Sequence, residues 1–378
     1  MSISNDSVAT AVTRPVRHDH RGSWIPTGAM IRTRIMELRK RRGLMAAMIV
    51  VNIGIPSIFL AIRLIAHAVS PQSYGPAGGY DVFSALVAGV MFVFGFIVAA
   101  TVGCTAGSVD LSEGMFRHLV ITGRSRLALY FARIPAGLAI VVPMVAAGFV
   151  IVCAVCVFAA PTSLNYNGIN VPVGLSRTGL ESWATQHPKE VVCGFPYRGP
   201  IGVPCGIGPG GKIFSPPGVG VDSVPLATLK ADAVKIAQQV YPDYAGHFLS
   251  PPMSLMIKAG LWIELEATIG FIVGLGLASL MGQRTVPVIL MIVLEIILTP
   301  LFSRNVIPHL INVQRGLVGL ATAHLEPGSL PTVFGGGGPG GGAGSLVPES
   351  TSVAVVVIVA WLVGWTALGA WRMATRDA

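Results

Sequence analysis

The chain has 378 residues and a formal net charge of +9, yet 52% of it is hydrophobic, only 11% is charged, and mean hydropathy is +0.69. Soluble domains carry about 25% charged residues, so a soluble fold is excluded and an all-α polytopic membrane protein is expected. A nucleic-acid partner is not expected either, because that reading of a basic chain needs a basic face in water.

Residues 1–43 open with "MSISNDSVATAVTRPVRHDH", which lacks the apolar core of a signal peptide and carries no lipidation motif. The N-terminus is therefore expected in the cytoplasm. Within this stretch "GAMIRTRIMELRKRRG" predicts an interfacial amphipathic helix, with Ile31, Ile35 and Leu38 set against Arg32, Arg34, Arg39 and Lys40. Six segments then approach the ~20 apolar residues a crossing needs. They are Leu44–Ala68, Val82–Gly103, Leu127–Ala160, Met253–Met281, Val286–Phe302 and Ser352–Trp371. The third is long and holds Pro135 and Pro143, so two short re-entrant pieces are an alternative that the charges disfavour; the fifth is short and contains Glu295.

Between spans two and three, inside the membrane block 44–160, lies "DLSEGMFRHLVITGRSR". Asp110 followed by Glu113 resembles a capping box, and Gly123 is a natural stop. Leu111, Met115 and Leu119, with Phe116 and Val120, make an apolar stripe, and Glu113 and Arg117 fall four apart. A short capped helix over 110–122 is predicted on the cytoplasmic side, presenting a charged surface.

Residues 161–252 are turn-rich and read as a loop-rich extracytoplasmic cap. Only "PLATLKADAVKIAQQVY" shows helical spacing, through Leu226, Leu229, Ala233, Ile236 and Val240. Cys193 and Cys205 lie there twelve positions apart, and an oxidising compartment favours their pairing. Cys104, Cys153 and Cys156 fall in or beside spans and read as packing residues, no histidine or second pair accompanying the Cys-x-x-Cys. After spans four and five (253–302), residues 303–351 contain "NVIPHLINVQRGLVGLATAHL", too broken to span but able to dip into the bilayer, and the tether "FGGGGPGGGAG". The last span and a cytoplasmic tail occupy 352–378.

Arginine and lysine set the orientation. Nine lie in 1–44, four in 105–133, one at Arg284 and two after Trp371, together 16 of 26, and the short outer loop Val69–Asp81 has none. Both termini are expected inside, in the plasma (cytoplasmic) membrane.

Catalytic chemistry is not legible. "GIGPGGKI" lacks the Ser or Thr and the buried strand of a P-loop, Ser125 lacks the nucleophile-elbow spacing, and the histidines never fall at metal-ligand spacing. No enzyme, metal or cofactor is expected on this chain. Acids inside spans are another matter. Glu266 and Glu295 fall near mid-depth, while Glu264, Lys258 and Arg63 lie toward the outer ends. Glu264 and Glu266 project about 200° apart, so they form no pair. Such acids suit a proton-coupled carrier or channel; equally, they face helix partners or stay protonated.

The motif D-x-x-E-G-x-F-R-x-L-x-x-T-G-R-S-R between spans two and three, the "TPLF…IPHLI" stretch and the ending "GAWRMATRDA" together resemble the membrane subunit of an ABC exporter of the type-2 class. The resemblance implies that the helix after span two is a coupling helix seated in a cytoplasmic ATPase. It would place Asp110, Glu113, Gly114, Phe116, Arg117, Thr122, Gly123, Arg124 and Arg126 on the coupling surface. It further implies two permease copies, identical or different, with two ATPases. No ATPase motif occurs here, so ATP and Mg would be held by a separate chain. The apolar spans hint at an amphipathic or lipid-like cargo. An assembly factor acting through the cap is a third reading.

Overall fold

The computed structural model describes residues 24–70, 77–112, 125–161, 163–166, 169–195, 205–207, 212–215, 220–247, 250–303, 310–327, 330 and 348–375. Six of its helices are long and apolar enough to cross a membrane: Arg42–Val69, Tyr80–Asp110, Arg126–Phe158, Met253–Met281, Thr285–Phe302 and Thr351–Thr375. They are spans one to six of a multi-pass membrane protein. Span three is one crossing, not two re-entrant pieces. Its helix breaks once, between Phe131 and Arg133, and then runs through Pro143 to Phe158. Pro135 accounts for the break, since its ring clashes with the carbonyl four residues back, that of Phe131.

Spans two and four form the centre. Gly103 and Gly107 on span two press on the Phe271 and Leu275 backbone of span four, and Gly270 and Gly274 on span four press on Phe96 and Ala100 of span two. A Cβ at Gly107 would stand 2.6 Å from the Leu275 carbonyl oxygen, and one at Gly274 would stand 2.5 Å from that of Ala100. Gly103 touches the Phe271 backbone as closely. Two small-xxx-small pairs thus let the backbones meet, the principal attraction available between helices in lipid. Phe92 and Trp262 stack across the same seam at 4.5 Å. Span six joins through Gly276, against the Trp365 backbone. Spans one, two and five each contain a π-helical stretch, at Val50–Gly54, Ala85–Met91 and Val293–Leu298. Such stretches reorient side chains within a helix and recur at functional positions.

The N-terminal helix Gly28–Lys40 forms where the stripe predicts it. Leu38 is buried as expected, but Arg34 turns inward to the bundle instead of sharing the outward basic face of Arg32, Arg39 and Lys40.

The segment between spans three and four corrects the expectation of a loop-rich, single-helix cap in an all-α chain. Antiparallel strands Ser163–Tyr166 and Ile169–Pro172 pair, with Leu164 opposite Val171, and a second short pair joins Gly206–Ile207 to Ile213–Phe214. Helices Arg177–Gln186 and Pro188–Gly194 precede the expected helix, which runs from Leu226 through Pro242 to His247. Ala233, Ile236 and Val240 do face inward, meeting Val171, Leu180, Ala184 and Val191 in a separate apolar core, and Leu229 is buried on the same helix. Leu226 stays exposed. The short helices were missed because each supplies too few turns for periodicity to register. Local signals start and stop them: the Ser176 hydroxyl accepts from the Gly179 amide at 3.1 Å, and Pro188 opens the second. Tyr244 donates its hydroxyl to the Pro172 carbonyl at 2.5 Å and accepts from the Leu175 amide, tying the long helix to the hairpin. Cys193 and Cys205 are joined in a disulfide, as expected, while Cys104, Cys153 and Cys156 are free.

Candidate functional site

Of the nine coupling-surface positions, Glu113, Gly114, Phe116, Arg117, Thr122, Gly123 and Arg124 lie outside the described residues. The two roots of that segment are described. Asp110 is not the cap of a new helix: the helix of span two continues through it to Ser112, because the apolar run feeds straight into it. Its carboxylate is buried and takes a two-pronged ion pair from Arg34, Nη2 to Oδ2 at 2.5 Å and Nη1 to Oδ1 at 2.8 Å. Arg133 at the start of the main helix of span three adds a third bond, Nη2 to Oδ2 at 2.5 Å, and gives Nη1 to the Gly107 carbonyl at 3.1 Å. Glu37 meets Arg34 at 2.6 Å, so two cations face two anions. Burial works against the Arg34 cation, but bonding to Asp110 and Glu37 outweighs it and holds its pKa above the ordinary value. Asp110 is therefore buried, not exposed as the expected coupling role would have it. It is the knot that joins the N-terminal helix, span two and span three. At the other root, Arg126 donates to the Ala374 carbonyl of span six at 3.2 Å.

A second buried cluster lies within spans four and five. Glu266 and Glu295 are each 1% exposed and within electrostatic reach of one another. Glu295 sits in the π-helical stretch of span five. The chain returns beside both as the helix Val318–Ala323, every residue of which is buried. Thr322 lies beside Glu266 but spends its only hydrogen on the Gly319 carbonyl at 3.0 Å. Thr299, beside Glu295, likewise spends its own on the Leu294 carbonyl at 2.9 Å. No carboxylate oxygen of either glutamate has a hydrogen-bond partner among the described residues. Trp262 donates Nε1 to the Thr322 carbonyl at 2.8 Å, and Trp361 of span six donates to the Gly316 carbonyl at 2.8 Å. These bonds hold the returning segment against mid-span residues. Glu264 is only half-buried and joins neither cluster.

Beyond the returning helix, burial pushes the Glu326 carboxyl up to about 8. Glu349 is also raised by burial, against the pull of His324 at 3.6 Å and of Arg315.

Arg133, Thr299, Thr322 and Gly319 escaped the sequence reading. Arg133 carried a usable signal, a lone cation inside an apolar span, but was counted toward orientation. The threonines and Gly319 carried none, because their importance depends on which helices meet.

No group of three or more His, Cys, Asp or Glu that could hold a metal occurs among the described residues. Comparison with family models, with curated proteins and with solved structures found no match to this chain.

Proposed function

We propose that this chain is the membrane subunit of an ATP-driven ABC exporter of the type-2 class, working with a second permease copy and a separate ATPase that holds ATP and Mg. The observation that supports this most is the anchoring of the polar segment 113–124 at both roots. Asp110 is bound to Arg34 and Arg133, and Arg126 reaches span six. A push on a segment so tied moves three spans and the N-terminal helix together, which is what a coupling element requires. Simple turns between spans need no such bracing. In this reading both termini and the polar segment are cytoplasmic, the N-terminal helix lies along the inner surface, and the cap is outside. The apolar spans suit an amphipathic or lipid-like cargo.

Purification from native membranes tests the proposal. An ABC ATPase should accompany the chain in fixed stoichiometry, and Arg124→Glu should weaken that association while leaving insertion normal. Purification with no ATPase would instead favour a proton-coupled carrier, the reading that Glu266 and Glu295 support. Orientation is checked by single cysteines in a background lacking native ones. An impermeant maleimide should label positions 165 and 340, but not 2 or 377, in sealed cells.

A further inference from the structure

The pair Glu266 and Glu295 poses a problem of charge that the rest of the bundle does not answer. An ionised carboxylate in a low-dielectric interior is costly unless it is paired or hydrogen-bonded. Two within electrostatic reach cannot both ionise without a cation. Among the described residues the neighbouring elements supply none: Arg133 of span three is bound to Asp110, and Lys258 of span four and Arg284 before span five are exposed. Span two, packed on span four, has its acids Asp81 and Asp110 only at its ends, and Asp110 is already bound to arginines. Span six carries Arg372 in its last turn. The returning helix has no charge of its own; His324 and Glu326 follow it, and His324 faces Glu349. Glu264, on the same helix as Glu266, projects about 200° away. The two adjacent hydroxyls are spent on backbone carbonyls.

We propose that Glu266 and Glu295 form a proton-binding site between spans four and five, closed by the helix Val318–Ala323, in which the two carboxyls hold one proton between them. A protonated carboxyl is a donor and an ionised one an acceptor, so one proton supplies the hydrogen bond that neither threonine offers. Water supplies the proton and takes it back. Packing favours a proton over a metal ion. A Cβ at Gly319 would stand 2.6 Å from Thr299 Oγ1 and 2.9 Å from Glu295 Oε2, so the returning helix lies directly on the carboxyl. A hard cation would need about six or more oxygen ligands. The site does not rest on whether an ATPase drives the chain.

Infrared difference spectroscopy of the full-length chain in phospholipid vesicles, stepped through pH, tests this. An exposed glutamate ionises near pH ~4.3, so at about pH 7 a protonated-carboxyl stretch reports a buried acid. The spectrum of the wild type minus that of Glu266→Gln/Glu295→Gln should contain such a band. Each single variant should lose it at lower pH, because the surviving acid then faces an amide in place of a like charge. Should the double variant not fold, a chain carrying Glu264→Gln, Glu326→Gln and Glu349→Gln decides instead, and it must retain a band. Absence of the band in that chain, or from the difference spectrum of a folded double variant, overturns the site. Replacing choline by sodium at fixed pH must leave the band unchanged; its loss would assign the site to a metal cation.

Discussion

Asp110 and Glu266 are both 1% exposed acids, yet they differ in every partner. Asp110 has a guanidinium on each side and three charge-assisted bonds. Glu266 has another acid and a threonine whose hydrogen is engaged elsewhere. Burial of charge by itself does not assign a role; the company of the charge does. A satisfied knot resists change and suits the transmission of force. An unsatisfied pair gains from taking up a ligand, and in a packed interior the smallest ligand is a proton.

The largest expected effect breaks the knot. Arg133→Ala should cost about 3–5 kcal/mol, because it leaves Asp110 buried beside one fewer cation. Glu266→Gln, made at equal burial, should be neutral or stabilising, since the amide offers Glu295 a donor without having to take up a proton. Thermal unfolding in detergent, followed by tryptophan fluorescence, measures both. Equal losses would erase the contrast between the two sites. Arg34→Ala should cost less, about 1.5–3 kcal/mol for its charged hydrogen bonds. Its side chain is 12% exposed and Arg133 still holds Asp110 in its absence, so the same assay should rank it below Arg133→Ala. Gly319→Ala should cost about 1–3 kcal/mol by overpacking, and should lower the pH at which the shared proton is lost, by forcing the returning helix off Glu295. An unchanged infrared titration would separate that helix from the site. The last effect, at Glu326, is read against pH. Its carboxyl titrates near 8 when folded against the ordinary 4.5, so the folded state alone keeps the proton between those values. Stability should therefore fall as pH rises from about 4.5 to 8 and level off above. Glu326→Gln should flatten part of that decline in melting temperature.

Much of the architecture was legible because hydrophobic length is a local property. Leu44–Ala68 and Met253–Met281 stand out as spans from residue type alone, and the structure extends the first to Arg42–Val69 and repeats the second. The disulfide was legible from compartment and spacing. The helical motif "GCTAG" facing "GFIVG" was written in the chain but passed unread, since small residues mark an interface only once two helices are opposed. The cap core escaped for a different reason. Leu180, Ala184 and Val191 sit on helices too short to show a period, and only their meeting with Val171 and Ala233 makes them a core.

Asp110 shows the boundary most clearly. Asp-x-x-Glu was a sound local signal for a helix start, but a long apolar helix already in progress carried its backbone onward through that position. The sequence alone determined six crossings, their order, the polar segment between the second and third, and the presence of acids in spans four and five. Tertiary structure decided which charges are answered. Arg34 and Arg133 lie 76 and 23 residues from Asp110, and Thr322 lies far along the chain from Glu266. Period and composition act within one helix, whereas the neutralisation of a buried charge depends on atoms a few ångströms away that the chain brings there only by folding.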